Sequence, residues 1–303
     1  MEHGFDATAA EKVAIVTTEA ATNLLKHAGG GELLLGTSYQ SGAWLVDVLA
    51  LDRGPGMSEV ACRVDGFSTA GTPGTGLGAM SRLSAFFDVY SRAGAGTVVF
   101  AQISGNGAPR QPNLRVYGVQ LSKPGEDVCG DQWSTHEHRG RGTIVVADGL
   151  GHGVDACAAA RTAIDAMQKS EDLSPRELVQ RMHESMRHTR GAAVGVAELD
   201  QERRIALFCG LGNVSARIFE GGSPARHMVS VNGTAGVEAR VLREFTYPWP
   251  AGAAIVLHSD GLSARWDLAD YPGLLAHDPG VIAGVLMRDQ CRHTDDATVV
   301  VAK

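Results

Sequence analysis

Apolar positions along the chain follow two rhythms. From Ala7 to Ala28 they recur at helical spacing behind Asp6, a good capping residue, and Gly29-Gly30-Gly31 closes the run. Short Val-, Leu- and Ile-rich runs then predict strands over 31–37, 43–51 and 96–103, with a helix over 77–87. In the second half, strands are expected near 114–121, 142–148, 193–199, 203–210, 213–219, 252–258 and 297–302, with helices over 154–168, 175–188 and 278–288. In the first of these helices Val154, Cys157, Ala158, Ile164 and Met167 are expected on the inner face; in the second, Leu178, Met182 and Met186 repeat every four residues. Strand runs with helices on their faces predict a layered α+β architecture. Residues 104–113 are Gly, Pro and polar, and 303 residues suffice for two cores, so the expected division is 1–104, a linker at 105–113, and 114–303.

Four aspartates carry the candidate chemistry of the second half. Asp131 lies in Cys129-Gly130-Asp131-Gln132-Trp133, and Asp148 follows the apolar run Thr143–Ala147 and opens Asp148-Gly149-Leu150-Gly151-His152-Gly153. Asp260 follows Ala253–Leu257 within His258-Ser259-Asp260-Gly261, and Asp295 begins Asp295-Asp296-Ala297-Thr298 before the last strand. Taken singly, an Asp-Gly pair is common turn chemistry. Carboxylates delivered by strand ends also suit hard divalent cations, which take oxygen ligands.

In this order the four motifs resemble the metal-dependent PPM phosphatases, and more narrowly their bacterial SpoIIE-type branch, over about residues 114 to 303. The resemblance implies an αββα sandwich in which Asp148 bridges two Mn²⁺ or Mg²⁺ ions, Gly149 offers its carbonyl, and Asp131, Asp260 and Asp295 complete the carboxylate set. Two such ions about 3.5–4 Å apart activate water for in-line attack on a phosphoryl group, so no covalent phosphoenzyme is required. The same resemblance places the two helices after Asp148 beside the metal site, where they can switch it on; periodicity alone reads them equally as an ordinary cover for a sheet.

A second set of polar residues lies in the first third. Glu19, Asn23 and His27 recur every four residues on one face of the first helix, which by itself reads equally as a solvated face. The strand Trp44–Leu51 ends in Asp52-Arg53-Gly54-Pro55-Gly56, and a glycine-rich loop, Ser68–Gly78, leads into a helix, an arrangement able to present backbone N–H groups to phosphate. The loop lacks the Gly-Lys-Ser/Thr of a Walker motif. Together the segments resemble the N, G1 and G2 boxes of the GHKL ATP-binding fold, as in the small serine kinases that regulate sigma factors, over about residues 5 to 103. That resemblance implies an α/β sandwich in which Asn23 holds Mg²⁺ with ATP, Glu19 is the base of a kinase, and Asp52 accepts from the adenine amino group. Gly54 and Gly56 shape the nucleotide wall, and Gly74, Gly76 and Gly78 belong to the lid and phosphate loop. Such kinases place a strand and a helix ahead of the N-box helix, so the domain is expected either to start further upstream or to leave a sheet edge open to another chain.

The formal charge of −7 argues against a nucleic-acid surface. Five cysteines without a Cys-x2-Cys pair fit free thiols, and no Cys-x5-Arg loop supports cysteine-based phosphatase chemistry; Cys129 reads as a packed thiol. No signal peptide or membrane-length apolar run is evident, and a cytoplasmic location is expected. Of eleven histidines, His136 and His138 form the closest pair, expected at an exposed hairpin tip. His152 and His258 flank the aspartates, each with a structural reading beside a supporting role at the site, and Asn213 sits in a Gly-Asn turn that reads first as a hairpin, with contact to substrate or support of the metal shell as its alternatives.

The combined expectation is a metal-dependent serine/threonine phosphatase joined to an ATP-binding, kinase-like module. By resemblance its substrate is a phosphorylated STAS-domain anti-anti-sigma or stressosome protein, with a homodimer as a possible assembly. The alternatives are an ATP-gated scaffold that binds a sigma-factor regulator without catalysis, and an active serine kinase working through Glu19.

Overall fold

The computed structural model describes residues 5–40, 42–57, 76–105, 114–169 and 172–303. The chain divides into two compact units, Met1–Asn113 with Gly280–Arg288, and Leu114–Pro279 with Asp289–Lys303.

In the first unit, helix α1 (Ala7–Ala28) starts where the Asp6 side chain accepts from Ala9 N–H and ends at Gly29, whose φ of 72° supplies the left-handed cap. Its inward stripe of Val16, Ala20 and Leu24 packs on an antiparallel sheet ordered β1 (Glu32–Gln40), β2 (Ala43–Leu51), β4 (Gly96–Ser104), β3 (Phe86–Arg92). Helix α2 (Gly76–Leu83) adds Met80 to that core. The helix expected over 77–87 therefore stops four residues early. Phe87 and Val89 instead alternate toward the core as cross-strand partners of Ala101 and Val99, because aromatic and β-branched residues beside a waiting strand gain more from pairing than from another helical turn. β1 is an edge strand with Leu35 and Tyr39 exposed.

The second unit holds two sheets. One is ordered β11 (Arg226–Met228), β10 (Ser215–Phe219), β14 (Ala254–His258), β15 (Ala297–Ala302), β5 (Val116–Leu121). The other runs β12 (Ser230–Val231), β9 (Ile205–Leu211), β8 (Ala192–Asp200), β7 (Arg141–Gly149), β6 (Asp131–His138), with β13 (Phe245–Pro248) also on β9. Alternation along β7 shows how the layers form: Ile144 and Val146 enter the core shared with Ile255, Leu257 and Val300 of the facing sheet. Val145 and Ala147 point the other way, into a second core beneath helices α3 (Val154–Gln168) and α4 (Pro175–Ser185). α4 begins with a capping box in which Ser174 and Glu177 satisfy each other's backbone N–H groups. Helix α5 (Pro279–Gln290), whose stretch Gly280–Arg288 belongs to the first unit, precedes β15 in the chain.

Two local expectations are corrected. Val154 and Ala158 are exposed, and Ala156, Cys157, Ala159, Ala160 and Ala163 form the inner face of α3; an alanine-rich helix carries too little hydrophobic contrast to orient itself in sequence. His136 and His138 lie within β6 rather than in a turn, and the turn is Arg139-Gly140, both with positive φ (49° and 76°) as a tight hairpin requires. A polar edge strand such as β6 escapes a reading based on apolar runs, although polar edges protect sheets from pairing with other chains.

Phe208 is fully buried between the two sheets. Phe208→Ala is expected to lower unfolding stability by about 3–5 kcal/mol, measured by urea denaturation, with the slope of the transition unchanged.

Candidate functional site

Four strands of the second unit deliver their aspartates to one place. Asp131 opens β6 and Asp148 lies near the end of β7, directly opposite it in the antiparallel register. Asp260 leaves the end of β14, and Asp295 precedes β15, which pairs with β14 through His258 and Val299. Beyond that pair the strands stay coupled: Ser259 N–H donates to Thr298 O (3.0 Å) and Thr298 N–H to Ser259 Oγ (2.9 Å). Arg292 N–H donates to Gly261 O (2.9 Å), fastening the segment before Asp295 to the corner after Asp260.

Glycine at two corners is a steric necessity. A Cβ at Gly149 would stand 2.1 Å from the backbone oxygen of Ala156, and one at Gly261 would stand 2.0 Å from that of Asp296. Both aspartates therefore sit where a second backbone passes as closely as it can.

The electrostatics follow from this crowding. Asp131 is 1% exposed; burial pushes its carboxyl up to about 7, and Asp296 and Asp260 push the same way against the pull of the Ser259 and Thr298 hydroxyls. Asp148 is raised to about 8, first by burial and then by the charges of Asp131, Asp260 and Asp295. Asp260, at the exposed rim, is raised by desolvation and by Asp295, while Arg292 and Asn213 oppose the shift. Asn213 Nδ2 donates to Asp260 Oδ2 at 2.7 Å. Asp131 Oδ2 and Asp296 Oδ2 are buried without hydrogen-bond partners. Among the described residues no three His, Cys, Asp or Glu side chains are gathered closely enough to chelate a single ion. A donor set made only of oxygens, with buried carboxylate oxygens left unpaired, fits Mg²⁺ or Mn²⁺. Asp131, Asp148, Asp260, Asp295 and the Gly149 carbonyl are the candidate oxygen donors.

The flanking residues divide in role. His258 is buried against Trp266, its Nδ1 2.8 Å from Ser259 O, and burial lowers it to about 4, so it is neutral at pH 7. His152 is exposed, with Nδ1 2.6 Å from Glu126 Oε1. Cys129 is buried beside Asp131 and its thiol is pushed far above the ordinary range, first by burial, so it stays protonated and unreactive. Asp296 is a fifth carboxylate that the motif analysis passed over: it is 4% exposed, and its Oδ1 accepts from Lys123 N–H at 2.8 Å. Its place beside Asp295 in the sequence was the available signal.

In the first unit, α1 presents Glu19 and Asn23 to the start of α2. A Cβ at Gly76 would meet Glu19 Oε2 at 3.0 Å and the Asn23 amide atoms at 3.6 Å. Gly76 and Gly78 belong to the helix rather than to a loop, and Gly74 lies outside the described residues. Asp52 Oδ1 accepts from Gly54 N–H (2.8 Å) and Thr97 N–H (3.1 Å), which fixes the carboxylate at the end of β2. Gly54 packs on Ala28, and Gly56 (φ 64°) packs on the Arg92 backbone so closely that a side chain at either would collide. His27 is exposed. No helix among the described residues is long and apolar enough to cross a membrane.

Comparison with known proteins gives both halves relatives. The chain is 24% identical over 151 residues to phosphoserine phosphatase RsbX of Bacillus subtilis, covering 50% of this chain and 76% of RsbX. A solved structure of RsbX in complex with magnesium superposes with a TM-score of 0.54 at 20% identity, over 64% of this chain and 96% of that one. The serine/threonine-protein kinase RsbT of the same organism is 33% identical over 101 residues, 33% of this chain and 76% of RsbT. A chain from a study of the bacterial stressosome as a modular system controlling secondary messenger signalling matches at 26% identity and a TM-score of 0.59, over 63% of this chain and all of that one. The histidine kinase-like ATPase domain profile matches residues 1–103, and the stage II sporulation protein E profile matches residues 138–303. A GHKL-type α/β sandwich thus precedes a PPM-type αββα sandwich, and the chain belongs to the SpoIIE family of PPM phosphatases, fused to a kinase-like ATPase domain.

Proposed function

We propose that this protein is a Mn²⁺- or Mg²⁺-dependent phosphoprotein phosphatase that removes phosphate from serine or threonine of a STAS-domain regulator in a cytoplasmic partner-switching pathway, with its ATPase-like domain as the regulatory input. The observation that carries the reading is the convergence of Asp131, Asp148, Asp260 and Asp295 from four strand ends, where burial and then the charges of Asp131, Asp260 and Asp295 raise the proton affinity of Asp148. Buried carboxylates packed this way gain most from divalent cations. The names of RsbX and RsbT, and of the stressosome chain, support a partner in that class of circuit.

When bound, two such ions lower the pKa of water and neutralise phosphoryl oxygens. The residues of this chain provide the frame for that chemistry. Asp148, central among the four, is fixed by β6 on one side and β8 on the other. Asp131 forms the buried floor, and Asp260 and Asp295 form the side open to a protein substrate. The buried Cys129 thiol and the neutral His258 stay out of the proton economy at pH 7. In the ATPase-like domain, Asn23 and Glu19 against Gly76 form the polar wall proposed to meet Mg-ATP, and Asp52, held by two backbone N–H groups, is proposed to receive the adenine amino group. A kinase role for Glu19 is the second reading, supported by the RsbT likeness.

The deciding experiment is Mn²⁺-dependent release of phosphate from a phosphoserine protein and from an aryl phosphate, comparing wild type with Asp148→Asn. The variant is expected to lose at least about 10³-fold in kcat/KM, on the order of 4 kcal/mol of transition-state stabilisation. Folded wild type that hydrolyses neither substrate with Mn²⁺ present overturns the phosphatase reading in favour of a binding scaffold.

Stability should show the same crowding. Because Asp131 and Asp148 are raised in the folded state, metal-free protein binds more protons than the unfolded chain between about pH 4 and pH 8. Their contribution to stability is therefore fully present below about pH 4 and is lost progressively as pH rises through the folded values of about 7 and 8. The metal-free melting temperature should fall over that window, and Mn²⁺ should raise it more at pH 8.5 than at pH 6. Asp148→Asn should flatten the metal-free slope; an unchanged slope would refute the electrostatic account.

Saturating Mg-ATP should raise the melting temperature of wild type and leave Asn23→Ala unshifted, as read by differential scanning fluorimetry. Transfer of labelled phosphate to a STAS protein, lost in Glu19→Ala, would move the assignment toward the kinase.

A further inference from the structure

Asn213 is set apart by what its backbone does not require. The chain passes from β9 of one sheet to β10 of the other through Gly212 and Asn213. Gly212 supplies the left-handed residue, with φ 97°, donates its N–H to Val231 O at 2.8 Å, and lies so close to Ala193 that an added Cβ would stand 2.6 Å from that side chain. Asn213 is not among the residues of positive φ. Asparagine usually serves a turn by tolerating that conformation or by bonding to its own backbone. Here its side-chain amide reaches instead to Asp260 Oδ2, at 2.7 Å.

The pairing is a product of sheet register. In the β10/β14 ladder Ser215 faces His258 and Ala216 faces Leu257. Carrying that register two residues past the end of the ladder sets Asn213 opposite Asp260. An ionised carboxylate only accepts, so the amide must turn its NH₂ group toward Asp260.

We propose that Asn213 is a positioning residue of the metal centre: by donating to Oδ2 of Asp260 it holds that carboxylate in one orientation, in which it would meet a divalent ion. The inference rests on the metal-dependent reading above and extends it to a residue outside the aspartate motifs. Without the amide, Asp260 at the exposed rim is free to swing into solvent or to turn both oxygens toward one ion. Hydrogen bonds to metal-bound carboxylates typically change metal affinity by about 10- to 100-fold.

The test is Mn²⁺ titration calorimetry, without substrate, on wild type, Asn213→Ala, Asp260→Ala and the double variant, with circular dichroism to confirm folding. Asn213→Ala should weaken Mn²⁺ binding by about 10-fold or more, with the metal-free melting temperature close to wild type. In phosphatase assays it should raise the Mn²⁺ concentration for half-maximal rate far more than it lowers the rate at saturating Mn²⁺. In the Asp260→Ala background the same substitution should have no further effect. Wild-type affinity in Asn213→Ala overturns the proposal, as does an equal loss with and without Asp260. Wild type that binds no Mn²⁺ removes the metal reading itself, a different failure from a variant that binds like wild type.

Discussion

The site of the second unit depends on its inter-sheet core, which holds together an electrostatic conflict. Asp131, Asp148, Asp260 and Asp295 are brought together from four strand ends, and burial first, then the neighbouring carboxylate charges, raise Asp131 and Asp148 to about 7 and 8. Like charges in a low-dielectric setting do not assemble by themselves. They are held here because the two sheets bury Ile144, Val146, Ile255, Leu257 and Val300 between them, and the aspartates are the residues that follow where that apolar pattern stops. The inter-sheet core fixes the strands, and the strands impose the repulsion.

The backbone enforces the same arrangement. Gly149 and Gly261 each lie against another backbone at a distance that excludes a side chain, so the corners after Asp148 and Asp260 cannot relax outward without undoing the packing of α3 or the start of β15. Asp131 and Asp148 face each other across one ladder, whose neighbour β8 is buried along its whole length.

Much of this was legible in the chain because strand ends are marked by composition. Thr143–Ala147 before Asp148 and Ala253–Leu257 before Asp260 read as buried strands by their apolar runs, and β7 and β14 follow them closely. The helix α1, with its Asp6 cap and Gly29 stop, was equally plain. What escaped has common causes. β3 and β6 are edge strands whose identity comes from a neighbour rather than from their own pattern. α3 carries its inner face in alanines, which differ little from its outer face. Asn213 looked like hairpin chemistry because Gly-Asn normally is; only the φ angle of Gly212 and the ladder register separate its role from a turn's. Gly76 and Gly78 lie in the first turn of α2, because glycine spacing describes backbone freedom and does not separate a loop from the start of the helix it leads into.

A gradient of exposure runs through the aspartate cluster, and it orders the roles. Asp131 is closed off from solvent, Asp148 and Asp295 are half-buried, and Asp260 is at the rim. A buried carboxylate is immobilised by packing alone, and Asp131 also lies against the Ser259 and Thr298 hydroxyls. A rim carboxylate has water as a competing partner and two free torsions, so it needs a directed contact to hold one orientation. Asp260 has such a contact in Asn213, and the segment before Asp295 is tied down where Arg292 meets Gly261. The carboxylates on the open side are thus the ones whose orientation rests on a few directed hydrogen bonds, with Asp295 Oδ1 also accepting from Asp296 N–H at 3.0 Å, and it is there, rather than at the rigid floor, that a small displacement would most readily change the arrangement of the cluster.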